Sequence, residues 1–461
     1  MRNGALKHAA ISALRFEPDF SGLRELHMCG SKGFTNFTTW LDHSGLALYF
    51  FGRLRDYGKL GLLPSDFRDA LEQRVHSNRK RMEAMVNEFS KVNTELKSRA
   101  IPHAFLKGFT LTPEFCADPA LRHQTDLDIL VYSDSVTEAT QALVACGYSL
   151  RGTEAGGRLR FATPLQYVPS AQDDIYRVSR HREVELHTSI WEETGHVSLV
   201  MPKDCLALAR TRNLQDIEYS SLSKEDMFLM QGLHAFSHLL GSWVRVSWLW
   251  EIHYFLQANL SDAELWQRII ARAENDPKLR ESIGLVLCLA AELFGGLIPE
   301  ALNDWCVDTL PDRLKTWVRT FGTQWAFSEL EGSKVTLFIH KEFVDDAYKW
   351  NGYLLRRLIP ASGKPSIGRI EASDLKTRLA GRVAQLKFSG QRLAFHMREL
   401  FVLAGEAFRW RQVLKSGQKV RAVLPCPSNT ISENHAISAC GGSADKKTFL
   451  VGEERLHANL E

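Results

Sequence analysis

Hydrophobic and polar positions alternate with a period of two in two short stretches of the chain. In Asp126-Leu-Asp-Ile-Leu-Val131, Leu127, Ile129 and Val131 alternate with Asp126, Asp128 and Leu130. In Val184-Glu-Leu-His187, Val184 and Leu186 alternate with Glu185 and His187. Successive side chains of a strand point to opposite faces, so each stretch predicts a strand with one apolar face and one face carrying acids. Residues 102–106 predict a further strand ending at Gly108, with residues 148–150 and 159–162 as two more. Elsewhere the apolar period is near 3.6. It predicts helices over residues 38–54, 65–98, 109–116 and 135–146, and then over 224–240, 244–256, 262–273, 279–294, 312–327 and 373–414. Ser65 or Asp66 after Pro64 is placed to cap the second of these, and Gly147 closes the fourth. Residues 1–35 show little periodicity and are expected to be loosely ordered. Residues 416–461 are polar and broken by Pro425, Pro427 and Gly441-Gly442, and are expected to be a disordered tail.

Two helices, then β-α-β-α-β-β, then many helices predict an α+β fold: a small mixed β-sheet core embedded between N-terminal and C-terminal α-helical regions. The expected domains are an N-terminal helical region (1–100), a sheet core (101–200), a C-terminal helical domain (201–416) and the tail (417–461). After the strand at Glu185, nearly everything up to Gly417 reads as helix.

The acids of the two strands carry the chemistry. Two ionised carboxylates held close together repel unless a cation lies between them, and hard oxygen donors suit Mg²⁺ or Mn²⁺. An Asp-x-Asp pair alone is a weak signal, since such pairs are often only solvated. A third acid in a matching strand, Glu185, changes the picture. If the strands are neighbours, Asp126, Asp128 and Glu185 form a metal-binding set able to hold two cations roughly 4 Å apart. His187, on the same face as Glu185, is placed to orient the acid, to touch a nucleotide, or equally to be a satisfied histidine at the rim. Lys107 and Gly108 stand where a strand turns into a helix, a place where free backbone N–H groups and a lysine attract phosphate. Arg122, four residues before Asp126, is expected to reach a bound triphosphate with its guanidinium fork.

Composition adds limits. With 44% hydrophobic residues, the 461-residue chain can bury a large core. A net charge of +3 implies no general affinity for nucleic acid or acidic membranes. The basic residues of 373–414 are spread around the helix and read as a solvated surface more than as an RNA site. Eight cysteines form no Cys-x-x-Cys pair, which suits free thiols in a reducing compartment. Residues 1–8 lack the apolar core of a signal peptide, and the run 283–298 is too broken to span a bilayer, so a cytoplasmic location is expected. His234 and His238, four apart on one helix face, have zinc spacing but no obvious third ligand.

In the order of its motifs the chain resembles the uncharacterised nucleotidyltransferases of the DNA polymerase beta-like superfamily. The matching pieces are Leu106-Lys107-Gly108, Arg122, Asp126-Leu-Asp-Ile-Leu-Val131, Gly147-Tyr148 and Glu185-Leu-His187, flanked by Trp40-Leu-Asp-His-Ser-Gly-Leu46, His234, His238 and Trp248-Leu-Trp-Glu251. The chain departs from the family pattern at Thr125, where Gly or Ser is usual, and at Glu251, where Asp is common. The resemblance implies a short mixed catalytic sheet, and a helix carrying His234, His238 and Arg245 along the nucleotide cleft. It also implies transfer of a nucleoside monophosphate from an NTP to an acceptor hydroxyl with release of pyrophosphate. Asp126, Asp128 and Glu185 are then catalytic metal ligands, and Lys107, Gly108, Arg122 and His187 contact the nucleotide. The acceptor, whether protein, sugar, small molecule or RNA end, is left open. Two other classes stay in view: a nucleotide-binding or regulatory protein without turnover, and a helical interaction protein in which the sheet is only structural.

Overall fold

In the computed structural model, the 34-residue helix α4 (Ser65–Ser98) lies along one face of a mixed sheet and sets the frame for everything around the acids. The structure describes residues 2–153, 157–163, 175–176, 178, 182–194, 196–241, 245–328, 333–344, 346–358 and 375–416. The expected tail beyond 416 falls outside them.

Helices α1 (Arg2–Leu14), α2 (Ser31–Ser44) and α3 (Ala47–Asp56) precede α4. The sheet strands follow: β1 (His103–Phe105), β2 (Asp126–Val131), β3 (Ser149–Thr153), β4 (Leu159–Ala162) and β5 (Glu183–His187). Helix α5 (Val136–Ala145) connects β2 to β3. Beyond β5 come β6 (Trp191–Thr194), β7 (Val197–Val200), β8 (Arg210–Leu214) and β9 (Ile217–Ser221). Seven strands form one sheet in the order β3-β4-β5-β2-β1-β9-β8, while β6 and β7 make a separate hairpin. Strands β2 and β5 are parallel, with Asp128 opposite Glu185 and Leu127 opposite Val184, and β1 runs antiparallel to β2.

One face of the sheet is dry. Leu127, Ile129, Val131, Val184, Leu186 and Phe161 pack with Met85, Phe89 and Val92 of α4 and with Ala139, Ala142 and Leu143 of α5. The opposite residues of the same strands, Asp126, Asp128, Glu183, Glu185 and His187, must therefore face the other side. There Ala104, Leu106 and Leu130 join a larger core built from α1 to α3 and from α6 (Lys224–Gly241), α7 (Ser247–Ala258), α8 (Ala263–Ala273) and α9 (Pro277–Phe294). Asp262 and Asp276 cap α8 and α9 by accepting the N–H of Leu265 and Leu279 at 3.0 Å each. Helices Asp312–Ala326, Ala347–Leu358 and Leu375–Lys415 complete a unit spanning Met1–Lys415. Among the described residues no helix is long and apolar enough to cross a membrane.

Four expectations are corrected. Residues 1–35 are ordered in the main. Leu6, Ala9, Ala10, Ile11, Ala13 and Leu14 of α1 are buried in the core, a stripe in which alanines dilute the apolar signal, and Ser21–Met28 follows as a 3₁₀ helix. The helix expected over 38–54 is two helices, because Gly45 adopts φ +74° and ends α2 as a left-handed cap. The helix expected over 109–116 is only a 3₁₀ turn, Gly108–Leu111, ahead of Pro113, whose missing N–H and fixed ring do not continue it. Finally, the stretch after Glu185 is not nearly all helical. It contributes β6 to β9, and β9 extends the sheet beside β1 in parallel pairing of Phe105 with Ser221.

Candidate active site

The site forms where strand pairing places β2 and β5 side by side. Parallel register sets Asp126 beside Glu183 and Asp128 beside Glu185, so the acids share one face in rows. Asp128 is buried, and its Oδ1 lies 3.0 Å from His187 Nε2 and 3.5 Å from Lys107 Nζ. Glu185 Oε2 lies 3.7 Å from the same His187 nitrogen. Asp128, Glu185 and His187 each offer a ligand atom within 4.8 Å of the others, the one such group of three His, Cys, Asp or Glu side chains among the described residues.

Charge in this row is unevenly balanced. Burial pushes the Asp126 carboxyl up to about 6, the nearby charge of Asp128 adds to this, and Lys107 partly opposes both. Burial likewise pushes Glu185 up to about 7, with Asp128 raising it further and Arg158 opposing. Asp128 goes the other way: burial disfavours its charge, yet Lys107 and the hydrogen bond and charge of His187 hold it well below the usual carboxylate range. Burial lowers the His187 pKa despite its bond to Asp128. Three acids and one imidazole thus compete for protons and for the cationic side chains around them, the condition in which a divalent cation is a strong competitor. The donor set fits such a cation. Two carboxylates suit Mg²⁺ or Mn²⁺, and the imidazole nitrogen is a donor Mn²⁺ accepts more readily than Mg²⁺ does.

The Lys107-Gly108 turn is pinned to the start of β2 by Gln124. Its Oε1 accepts the Phe109 N–H at 3.0 Å and its Nε2 donates to the Asp126 carbonyl at 2.7 Å. Gly108 has φ +74°, and the Gln124 amide occupies the space where a Cβ would stand. Helix α4 holds the approach to β2 from below: Asn78 Nδ2 donates to the carbonyls of Ala120 and Arg122 at 2.8 and 3.1 Å, and Arg81 Nε donates to that of Gln124 at 2.8 Å. These buried polar side chains interrupt the apolar stripe of α4 and had no recognisable signal in the sequence.

Arg122 acts in two directions: its charge reaches Asp126, and its fork is tied to the helical core. Its Nε donates to Glu251 Oε1 on α7 at 3.0 Å, in a buried group completed by Tyr49 Oη at 2.7 Å and Gln231 Nε2 on Oε2 at 2.5 Å. Its guanidinium is thereby tied to a carboxylate of the helical core. Among the described residues His234 and His238 join no group of three metal-ligating side chains. Their rings lie 4.5 Å apart and pack on Trp248 at 4.6 and 4.3 Å, and the charge of His234 reaches Asp128. Arg245 sits over the same Trp248 at 5.7 Å and is hydrogen-bonded to the His123 carbonyl at 3.2 Å. Two cations that sequence reading passed over, Arg158 and Arg160, flank Glu185.

The family model described as "Uncharacterised nucleotidyltransferase" matches residues 31–295, which include the whole sheet and helices α2 to α9. The chain belongs to this nucleotidyltransferase family, and its class is that of a nucleotidyl-transferring enzyme. No curated protein matches the chain.

Proposed function

We propose that the chain is a Mg²⁺- or Mn²⁺-dependent nucleotidyltransferase that moves a nucleoside monophosphate from an NTP to an acceptor hydroxyl. The observation that carries this reading is the register of β2 and β5, which faces Asp128 with Glu185 inside a family defined by nucleotidyl transfer. Asp126, Asp128 and Glu185 hold the cations, with His187 as a further donor or as the group that orients Asp128. When bound, such cations supply charge neutralisation to the transferring phosphoryl group and acidify the attacking hydroxyl. Lys107 holds the triphosphate, and Gly108 lets the backbone of the turn approach it closely. Arg122 acts one step removed, by fixing through Glu251 how α7 packs on the loop that leads into β2. The acceptor oxygen bonds to the α-phosphorus, the bond to the bridging oxygen breaks with its electron pair, pyrophosphate leaves, and the hydroxyl proton passes to water.

The test is thermal unfolding with ATP, GTP, CTP and UTP, with and without Mg²⁺, followed by pyrophosphate release. One NTP at a hundredfold over its dissociation constant stabilises the fold by about 2.7 kcal/mol. The shift is metal-dependent and vanishes in Asp126→Asn/Asp128→Asn. Full pyrophosphate release by that double variant contradicts the reading. Saturable binding without release from any acceptor favours a regulatory nucleotide-binding role instead.

A further inference from the structure

The three side chains that converge at the centre of the site are not the three acids. Asp128, Glu185 and His187 each bring a ligand atom within 4.8 Å of the others, whereas Asp126, two residues earlier on β2 and beside Glu183, joins no such group among the described residues. His187 Nε2 lies 3.0 Å from Asp128 Oδ1 and 3.7 Å from Glu185 Oε2. Neighbouring donors of a six-coordinate dication, each about 2.1 Å from it, stand about 3.0 Å apart. One nitrogen and two carboxylate groups are thus held close to the spacing of one face of an octahedron.

Strand geometry is the cause. Glu185 and His187 are two apart on β5 and share its face, and parallel pairing sets Asp128 opposite Glu185. Asp128 and His187 are both buried, so packing fixes the donors in place. The two carboxylates already draw positive charge, with Lys107 Nζ 3.5 Å from Asp128 Oδ1 and Arg158 Nη1 3.3 Å from Glu185 Oε2. Lysine and arginine are donors only. A metal ion competes with them for the oxygens and, unlike them, also uses the lone pair of the imidazole nitrogen.

That nitrogen decides the metal. Mg²⁺ takes oxygen donors and dehydrates reluctantly, whereas Mn²⁺, Fe²⁺ and Co²⁺ accept imidazole together with carboxylate, with affinity rising in that order. An Mg-NTP complex brings its own phosphate oxygens and gains little from a histidine.

We propose that Asp128, Glu185 and His187 form a site for a first-row transition-metal dication, with Mn²⁺ as its probe, that fills without nucleotide and discriminates against Mg²⁺. Asp126 serves a second ion, the one that accompanies the NTP, and this part alone rests on the transfer reading above. The centre is then asymmetric: a resident ion on nitrogen and oxygen, and a travelling ion on oxygen alone, in place of two like ions on three carboxylates.

The full chain, freed of metal with a chelator, is titrated with Mn²⁺, Co²⁺ and Mg²⁺ in the absence of nucleotide, and the Mn²⁺ form is measured by pulsed electron paramagnetic resonance. The expected result is one Mn²⁺ per chain, bound more than about tenfold tighter than Mg²⁺, with hyperfine coupling to a histidine nitrogen. His187→Gln loses the coupling, and its Mn²⁺ affinity falls by no less than the about 10-fold to 100-fold that removing an orienting partner costs. Asp126→Asn keeps nucleotide-free Mn²⁺ binding and the nitrogen coupling, while its Mg-NTP shift in unfolding temperature shrinks. Equal affinity for Mn²⁺ and Mg²⁺, Mn²⁺ bound without nitrogen coupling, coupling retained in His187→Gln, or loss of nucleotide-free binding in Asp126→Asn overturns the mixed site. A wild-type Mg-NTP shift then leaves nucleotidyl transfer standing. Nitrogen coupling that His187→Gln abolishes, with no Mg-NTP shift in the wild type, upholds the mixed site and contradicts transfer.

Discussion

Arg122 and Glu251 are separated by 129 positions in the chain and by 3.0 Å in the fold. The carboxylate is almost fully buried, receives the Tyr49 hydroxyl on the same oxygen and the Gln231 amide on the other, and joins the loop before β2 to the helical core. Burial disfavours the charge of Arg122, but Glu251 together with Tyr49 and Cys116 offsets it, so the guanidinium pKa is raised.

The first prediction follows from that pair. Removing one member leaves the other as an uncompensated buried charge, which costs about 3–5 kcal/mol. Arg122→Met and Glu251→Gln are each expected to lower the urea midpoint strongly. The double variant is expected to lose clearly less than the sum of the two, because neither charge is left alone. Strict additivity in the double-mutant cycle shows that the pair is not coupled and that Arg122 has its main partner elsewhere.

Gly108 supports a second prediction. Its φ of +74° disfavours any side chain, and a Cβ meets the Gln124 amide that ties this turn to Asp126. Gly108→Ala is expected to destabilise the fold by about 2 kcal/mol or more. It is also expected to weaken Mg-NTP binding beyond what that loss explains, since the turn shifts away from Lys107. The variant Gly108→Ala/Gln124→Ala removes the collision but keeps the backbone strain, so it recovers only part of the stability. Full recovery of both stability and nucleotide binding contradicts the role given to the turn.

How far the sequence alone reached is instructive at these residues. Strand alternation revealed Asp126, Asp128, Glu185 and His187, because a period of two is a local property and one residue of slip would bury the acids. The helical spans after residue 224 were legible for the same reason, although the helix expected from 279 begins two residues earlier, behind the Asp276 cap. The partners of these residues were not legible. The tie from Arg122 to Glu251, the Gln124 clamp, and Arg158 and Arg160 beside Glu185 are set by tertiary packing and by which strands become neighbours. Strand β8 escaped notice because its residues are largely polar and exposed, as suits an edge of the sheet, and β9 beside it because only Ile217 and Tyr219 give it an apolar phase. Helix α1 escaped because half of its buried side is alanine, which weakens the apolar contrast with its other face.

A third prediction concerns His253 on α7. Burial, followed by the charge of Arg53, depresses its pKa to about 4. A histidine unfolded near 6.5 and folded near 4 takes up its proton more readily in the unfolded chain. Its contribution is therefore present in full above pH 6.5 and is lost as pH falls from 6.5 towards 4. The loss is on the order of 3 kcal/mol at most. His253→Phe, which keeps a flat ring beside Phe294, is expected to flatten the fall in unfolding free energy between pH 6.5 and 4.5. An unchanged slope in that window removes His253 as its cause.

The fourth prediction sets stability against function at Glu185. Its carboxyl, at about 7 in the fold and near 4.5 when unfolded, holds a proton in the native state over a range where the unfolded chain has lost it. The sign is opposite to that of His253 on falling pH: the stabilising contribution is fully present below about 4.5 and is lost as pH rises through 7. At pH 8 the ionised side chain is a liability that only a cation or the neighbouring arginines relieve. Glu185→Gln is therefore expected to raise the unfolding free energy at pH 8 by about 1–3 kcal/mol in the absence of divalent metal, to have little effect at pH 5, and to abolish transfer. In the wild type, Mn²⁺ has to displace that proton. Its affinity is expected to rise between pH 6 and 8, and titration calorimetry in buffers of different ionisation enthalpy is expected to show proton release on binding. A variant less stable than wild type at pH 8, together with Mn²⁺ affinity indifferent to pH, shows that Glu185 is already ionised and satisfied by Arg158 and Arg160. The strain that readies the site for a cation then lies with Asp126 instead.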